Sequence, residues 1–221
     1  MNNYKRYKTS GKSGSNFPDA LPGFEEINRY WDHKRNTFGA KILPGEFYVS
    51  ARGELIATTL GSCVAACIRD PLTGIGGMNH FMLPIMDRNR HGTWTDSPVS
   101  PSARYGNVAM ERLINVIIAN GGNRKNLEIK LFGGGNVLEV KIKIGEMNID
   151  FVKEYVKTEG FKIEKEDLGG IYPRKVLYYP ATGRAMVKKL YKLRNETIAI
   201  REKAYNEKLE REPIAGEIEL F

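Results

Sequence analysis

The stretch of sequence around residues 63–83 constrains the fold more than any other part of the chain. Residues 64–69 and 75–83 are largely apolar runs, and between them the chain reads Asp-Pro-Leu-Thr-Gly, which is typical of a tight turn. Two such runs joined by a turn predict a β-hairpin. A loop centred between the second and third residues of that turn pairs Cys63 directly with His80 and turns both side chains to the same face.

This pairing would bring a thiol and an imidazole together. Directly opposed residues have Cβ atoms about 4.5–5.5 Å apart, so Cys63 and His80 would come within reach of a hydrogen bond. An imidazole beside a thiol accepts its proton and stabilises the thiolate, while free N–H groups near Gly61 and Ser62 would stabilise an oxyanion. The pairing depends on register, because a bulge at residues 76–77 would turn His80 to the other face. The alternative is that Cys63 has no chemical role and only packs in the core.

The rest of the chain alternates predicted strands with predicted helices. Residues 105–120 carry apolar side chains at helical spacing, and a second helix is predicted from an Asn148 cap to Gly160. A glycine run at residues 133–135 predicts a tight turn that packs near the active site, and it lacks the spacing of a phosphate-binding loop. Further strands are predicted at residues 47–50, 54–60, 127–132, 161–166, 175–179 and 184–190. Strands outnumber helices, which predicts an α/β sandwich with mixed strand pairing.

Composition divides the chain into one domain with an extension at each end. Residues 1–40 are polar and basic and are predicted to form a flexible N-terminal extension, with regular structure beginning near Ile42. Residues 41–190 are predicted to form the domain, with a long surface loop at residues 85–104. Residues 191–221 interleave Lys and Arg with Glu, which predicts a charged C-terminal helix or tail with a solvated face.

Composition also argues against several classes of protein. No stretch approaches the roughly 20 consecutive apolar residues that span a bilayer, so we expect a cytoplasmic protein without membrane insertion. Two cysteines, Cys63 and Cys67, are too few for a disulfide framework or a four-ligand zinc site, and no metal is expected. The formal net charge of +8 indicates an acidic partner. Nucleic acid is the weakest candidate, because few aromatic residues that could stack on bases lie among the basic ones.

Two linked motifs carry a resemblance to a known family. Residues 60–64 (Leu-Gly-Ser-Cys-Val) and 76–84 (Gly-Gly-Met-Asn-His-Phe-Met-Leu-Pro) resemble the CheD family of chemoreceptor glutamine deamidases. The similarity covers roughly residues 42–190 and continues in segments 44–46, 104–106, 132–135, 144–148, 167–170 and 182–184. It implies a three-layer α/β sandwich and a Cys-His-Thr site, whose members here are Cys63, His80 and Thr58. If the geometry requires the position that Ala57 holds, then Thr59 or a backbone carbonyl would have to orient His80.

The resemblance implies a protein-glutamine glutaminase that converts glutamine side chains of methyl-accepting chemotaxis receptors to glutamate and releases ammonia. Cys63 would attack the amide carbon, and His80 would protonate the ammonia and then activate water. No cofactor is implied, because a thiolate, an imidazole and water supply all the reacting groups. A CheC-type phosphatase is a further candidate partner. The alternatives are a non-catalytic module that docks on receptors or on such a phosphatase, and a different thiol hydrolase such as a protease.

Overall fold

In the part of the chain that the structure describes, two five-stranded β-sheets and three α-helices make up most of the regular structure. The computed structural model describes residues 19–83, 101–137, 143–191 and 196–211. Within these residues the strands are β1 (Asn28–Asp32), β2 (Thr37–Lys41), β3 (Phe47–Ser50), β4 (Leu55–Leu60), β5 (Val64–Arg69), β6 (Gly76–Asn79), β7 (Glu128–Gly133), β8 (Ile163–Leu168), β9 (Arg174–Tyr179) and β10 (Arg184–Lys189). The helices are α1 (Pro101–Ala119), α2 (Ile144–Thr158) and α3 (Glu196–Arg211). In this part of the chain, none of them is long and apolar enough to cross a membrane.

Both sheets are mixed. The first has the order β1-β2-β4-β9-β10 with β2 parallel to β4, and the second has the order β3-β6-β5-β7-β8 with β7 parallel to β8. Helices α1 and α2 pack on the second sheet. The two sheets also meet, since Arg69 of β5 and Lys130 of β7 donate hydrogen bonds to carbonyl groups in the β9–β10 turn. The layers are therefore helix, sheet and sheet, which confirms the predicted α/β sandwich.

Regular structure begins earlier than the sequence predicts. The segment assigned to an N-terminal extension contains β1 and most of β2, which pair antiparallel at the edge of the first sheet. Trp31 and Phe38 are cross-strand partners, with ring centroids 4.7 Å apart. Phe24 is buried and packs edge-on against Phe47, with ring centroids 5.2 Å apart. These apolar contacts are widely spaced in the sequence, so no periodic pattern reveals them.

Both predicted helices of the domain are present, and both start earlier than predicted. Helix α1 begins at Pro101, inside the loop predicted at 85–104; residues 85–100 of that loop lie outside the described residues. A proline suits the first turn of a helix, where its missing N–H has no acceptor. Helix α2 begins at Ile144, so the prediction that Asn148 caps it is wrong. It ends at Thr158, just before Gly160, which has a φ of 70°.

The predicted hairpin is present as β5 and β6, but its register differs from the prediction. An isolated bridge joins Val64 to Phe81, so Cys63 is not paired with His80. The predicted direct pairing of Cys63 with His80 is therefore wrong, because the two strands are shifted by two residues relative to the predicted register. A shift of two residues preserves the alternation of side chains, so Cys63 and His80 still belong to the same face, as diagonal neighbours.

Candidate active site

The imidazole of His80 is held by a threonine of the facing sheet. Thr58 Oγ1 lies 2.8 Å from His80 Nδ1 and donates a hydrogen bond of 2.9 Å to the carbonyl oxygen of Ile42. A hydroxyl group has a single proton, and the Ile42 carbonyl uses it, so Thr58 Oγ1 accepts the Nδ1–H of His80. This chain of hydrogen bonds selects the tautomer in which Nε2 carries the lone pair.

His80 is fixed through its main chain as well, and its ring is uncharged. Its N–H donates to the carbonyl oxygen of Glu46 at 2.9 Å, and the N–H of Gly45 donates to the carbonyl oxygen of His80 at 2.7 Å. Burial lowers the pKa of His80 to about 3, so the imidazole is neutral at physiological pH. Its Nε2 is buried without a hydrogen-bond partner among the described residues. The ring therefore presents inside the protein a nitrogen lone pair that no described residue engages.

Strand alternation explains why Thr58 reaches His80. Successive side chains of β4 point to opposite faces of the sheet. Thr58 is buried on the face towards His80, whereas Ala57 packs with Leu55 and Leu177 in a separate apolar cluster. Thr59 shares the alternation of Ala57 and so faces away from His80. The geometry thus brings together His80 and Thr58, and not His80 and either neighbour of Thr58.

Cys63 lies in the turn between β4 and β5 and is fully buried. Burial, followed by the charge of Glu202 and a hydrogen bond with it, raises the pKa of the Cys63 thiol well above its usual value. No hydrogen bond joins the thiol to His80 Nε2 in the described part of the chain. Because the thiolate is the nucleophilic form, the raised pKa disfavours the reactive form of Cys63 in this arrangement.

The carboxylate of Glu202, on α3, occupies the turn that carries Cys63. Its Oε1 accepts hydrogen bonds from the N–H groups of Gly61 at 2.8 Å and Cys63 at 3.2 Å. Its Oε2 accepts from the N–H of Ser62 at 2.9 Å and from the Ser62 hydroxyl at 2.6 Å. Four donors therefore converge on one position beside the thiol, an arrangement that in a hydrolase stabilises the oxyanion of the transition state.

The predicted glycine turn packs directly on this segment. The N–H of Gly134 donates to the carbonyl oxygen of Cys63, and that of Gly135 donates to the carbonyl oxygen of Gly61, both at 2.8 Å. Gly133 has a φ of 110°, and a Cβ there would stand 2.2 Å from the Cys63 carbonyl oxygen, so this position requires glycine. These bonds direct the carbonyl groups of Gly61 and Cys63 towards the glycines, and the N–H groups of the turn are left for the carboxylate.

Sequence reasoning missed two residues of the site. Asn148 is fully buried; its Nδ2 donates to the carbonyl oxygen of Ser62 at 2.9 Å, and its Oδ1 accepts from the N–H of Leu83 at 2.8 Å. It therefore ties α2 both to the Cys63 turn and to the residues after the hairpin. Glu202 was covered by the prediction of a solvated C-terminal face, and that prediction is wrong for this residue. In the sequence, Glu202 is one glutamate among many charged residues, and nothing there marks it as buried.

These groups define a class of site: a thiol, an imidazole whose Nδ1 is already hydrogen-bonded, and a cluster of N–H donors, as in cysteine-dependent hydrolases.

The family model described as CheD chemotactic sensory transduction matches residues 82–189. The chain is 53% identical over 208 residues to a protein of Halorhodospira halophila, covering 94% of this chain and 96% of that one. It is 47% identical over 214 residues to one of Saccharophagus degradans, covering 96% and 98%. Both are named probable chemoreceptor glutamine deamidase CheD. This chain therefore belongs to the CheD family.

Proposed function

We propose that the chain is a protein-glutamine deamidase that converts glutamine side chains of chemoreceptors to glutamate and releases ammonia. The names of its relatives in the family support this substrate. The observation that carries the proposal is the convergence of four hydrogen-bond donors from Gly61, Ser62 and Cys63 on one position beside the Cys63 thiol. Such a cluster matches the oxygen of an amide under attack by that thiol.

The first half-reaction uses Cys63 as nucleophile and His80 as base. The Cys63 thiol gives its proton to Nε2 of His80, and the sulfur forms a bond to the amide carbon of the glutamine side chain. The amide oxygen takes up the negative charge and accepts hydrogen bonds from the donors of the Gly61–Cys63 turn. The proton on Nε2 passes to the amide nitrogen, the C–N bond breaks, and ammonia leaves a thioester on Cys63.

The second half-reaction restores the enzyme. Nε2 of His80 takes a proton from water, and the water oxygen forms a bond to the thioester carbon. The C–S bond then breaks, the proton on Nε2 passes to the sulfur and regenerates the thiol, and the side chain departs as glutamate. Throughout, Thr58 keeps the Nδ1 proton of His80 engaged, so Nε2 is the nitrogen that exchanges protons. The reacting groups all belong to the chain, the substrate and water, so the mechanism uses no cofactor.

The substrate side chains belong, in this proposal, to the cytoplasmic helices of methyl-accepting chemotaxis receptors, and the enzyme acts in the cytoplasm. Each reaction adds one negative charge to a receptor helix. A formal net charge of +8 on the enzyme favours association with such acidic helices, and salt screens that attraction. A CheC-type phosphatase is a candidate second partner of this enzyme, which it would bind during adaptation.

The test is to incubate the full-length chain with a receptor cytoplasmic fragment and follow each glutamine by peptide mass spectrometry. We expect conversion to glutamate at a few glutamines, with ammonia released in equal amount. A fragment in which those glutamines are replaced by alanine should release no ammonia. Binding without conversion would instead favour the docking module, and cleavage of the fragment would favour a protease.

A further inference from the structure

Helix α3 carries a buried carboxylate, although most of its residues whose burial the structure describes are exposed. Glu202 is 2% exposed, whereas the adjacent residues Arg201 and Lys203 are exposed. Burial of a carboxylate is unfavourable unless hydrogen bonds replace those it made with water. The donors that replace them are the N–H groups of the Gly61–Cys63 turn and the hydroxyl of Ser62. The helix is therefore docked through the same groups that the proposed reaction uses.

The fit between Glu202 and the turn is close. A Cβ built on Gly61 would stand 2.7 Å from both carboxylate oxygens, so only a glycine leaves space for this group. Tyr205, one turn further along α3, lies on the same side of the helix because residues three apart are neighbours on a helix surface. Its hydroxyl hydrogen-bonds that of Tyr105, and a Cβ on Gly45 would stand 2.7 Å from it. Helix α3 thus has two anchors: Glu202 at the Cys63 turn, and Tyr205 beside Gly45, whose N–H donates to the carbonyl oxygen of His80.

The group that Glu202 presents is the product of the proposed reaction. A glutamate side chain projecting from a helix is what deamidation of a helical glutamine leaves behind, and the donors of the turn suit a carboxylate and an amide oxygen alike. A cavity of about 60 Å³ lies beside His80, between Gly45 and Arg112, and Cys63 is not among the residues that line it. Glu202 occupies the four donors beside the thiol, so a substrate amide can accept hydrogen bonds from them only after Glu202 has moved.

We infer that α3 is an internal product mimic, in which Glu202 occupies the subsite for the receptor's glutamine side chain and closes the site until a receptor helix displaces it. The inference rests on the proposed function. It assigns the amide-binding subsite to the four donors of the Gly61–Cys63 turn, and it assigns to Tyr205 a second contact that a receptor helix would have to replace. The same displacement removes a negative charge from beside Cys63, which lowers the pKa of the thiol and favours the thiolate.

Replacement of Glu202 by alanine tests the closure. In the absence of receptor, Glu202→Ala should be alkylated by iodoacetamide at Cys63 about tenfold faster or more, because the reagent gains access to the thiol and the negative charge beside it is removed. The variant should also deamidate a receptor fragment faster than the unmodified chain. Glu207→Ala, which alters an exposed glutamate on the same helix, is the matched control and should change neither rate. Thermal unfolding of each variant establishes that the comparison is between folded proteins.

The outcomes separate the inference from the function on which it rests. Unchanged alkylation and deamidation in Glu202→Ala, with the fragment still converted, would overturn the product mimic and leave the deamidase intact. Faster alkylation without deamidation by any variant would overturn the proposed function, and the product mimic with it.

A Glu202→Gln variant tests the subsite itself. It places an amide where the substrate amide is inferred to bind, so the enzyme should hydrolyse its own side chain: water is consumed, ammonia is released and glutamate is restored. Mass spectrometry of the peptide that contains residue 202 follows this reaction. The amide should persist in the double variant Glu202→Gln, Cys63→Ala, and also in Glu207→Gln. Persistence of the amide in an otherwise active Glu202→Gln protein would overturn the subsite assignment.

Discussion

The Cys63→Ala variant should deamidate a receptor fragment slower than the unmodified chain by roughly 10⁴-fold or more, because no thioester can form without the thiol. Alanine removes one sulfur atom from a fully buried position, so the fold should tolerate the change. The N–H groups of the turn do not depend on the side chain of residue 63, and their contacts with Glu202 should persist. Site-resolved mass spectrometry of the fragment measures the loss.

Cys67→Ala provides the matched control for that experiment. Cys67 is also a free and fully buried cysteine, and it lies in β5, four residues from Cys63. Its replacement should cost roughly 1 kcal/mol of stability through lost packing and leave the deamidation rate unchanged. Equal rates for Cys63→Ala and the unmodified chain would show that the reaction does not use this nucleophile.

A His80→Gln variant should lose about 10²–10⁴-fold of the deamidation rate, the range that general acid–base catalysis contributes. Glutamine can still hydrogen-bond Thr58 but supplies no basic nitrogen at the position of Nε2. Because the thiol and the imidazole act as one unit, the double variant with Cys63→Ala should be no slower than Cys63→Ala alone. The measurement is the rate of glutamate formation in single and double variants.

His33→Gln is the control for the imidazole. His33 is exposed between β1 and β2, so its replacement should change neither activity nor stability. A His80→Gln protein that is folded and fully active would contradict the assigned role of His80 in proton transfer.

The hairpin shows how far local sequence can specify a site. Its existence follows from two apolar runs and a turn. Its register depends on hydrogen bonds within the turn, which the pattern of apolar residues does not specify. The turn closes between Asp70 and Ile75, where the N–H of Asp70 donates to Ile75 at 2.9 Å, and the N–H of Gly74 donates to Asp70 at 2.9 Å. The Asp70 carboxylate also accepts from the N–H of Leu72 at 2.8 Å. The loop is therefore centred one residue later than predicted, which moves every cross-strand partner by two.

The remaining residues of the site differ in how readily the sequence predicts them. The family resemblance predicts Thr58, and its burial opposite His80 follows from the alternation of β4. The sequence predicts that Asn148 caps a helix, because a lone asparagine ahead of an apolar face is typical of a cap. Glu202 contacts residues 139 to 141 positions away, and no periodicity or composition reports such a contact. The charge pattern of α3 predicts a helix but not the side of it that docks.

The central claim, that a receptor glutamine becomes a thioester on Cys63, is tested most directly by running the reaction in the presence of hydroxylamine. Hydroxylamine reacts readily with thioesters and only slowly with side-chain amides, so it intercepts the intermediate before water does. We expect part of the product at each converted glutamine to be the hydroxamate, in a share that rises with hydroxylamine concentration and requires Cys63. Formation of glutamate alone at every hydroxylamine concentration would contradict the covalent mechanism.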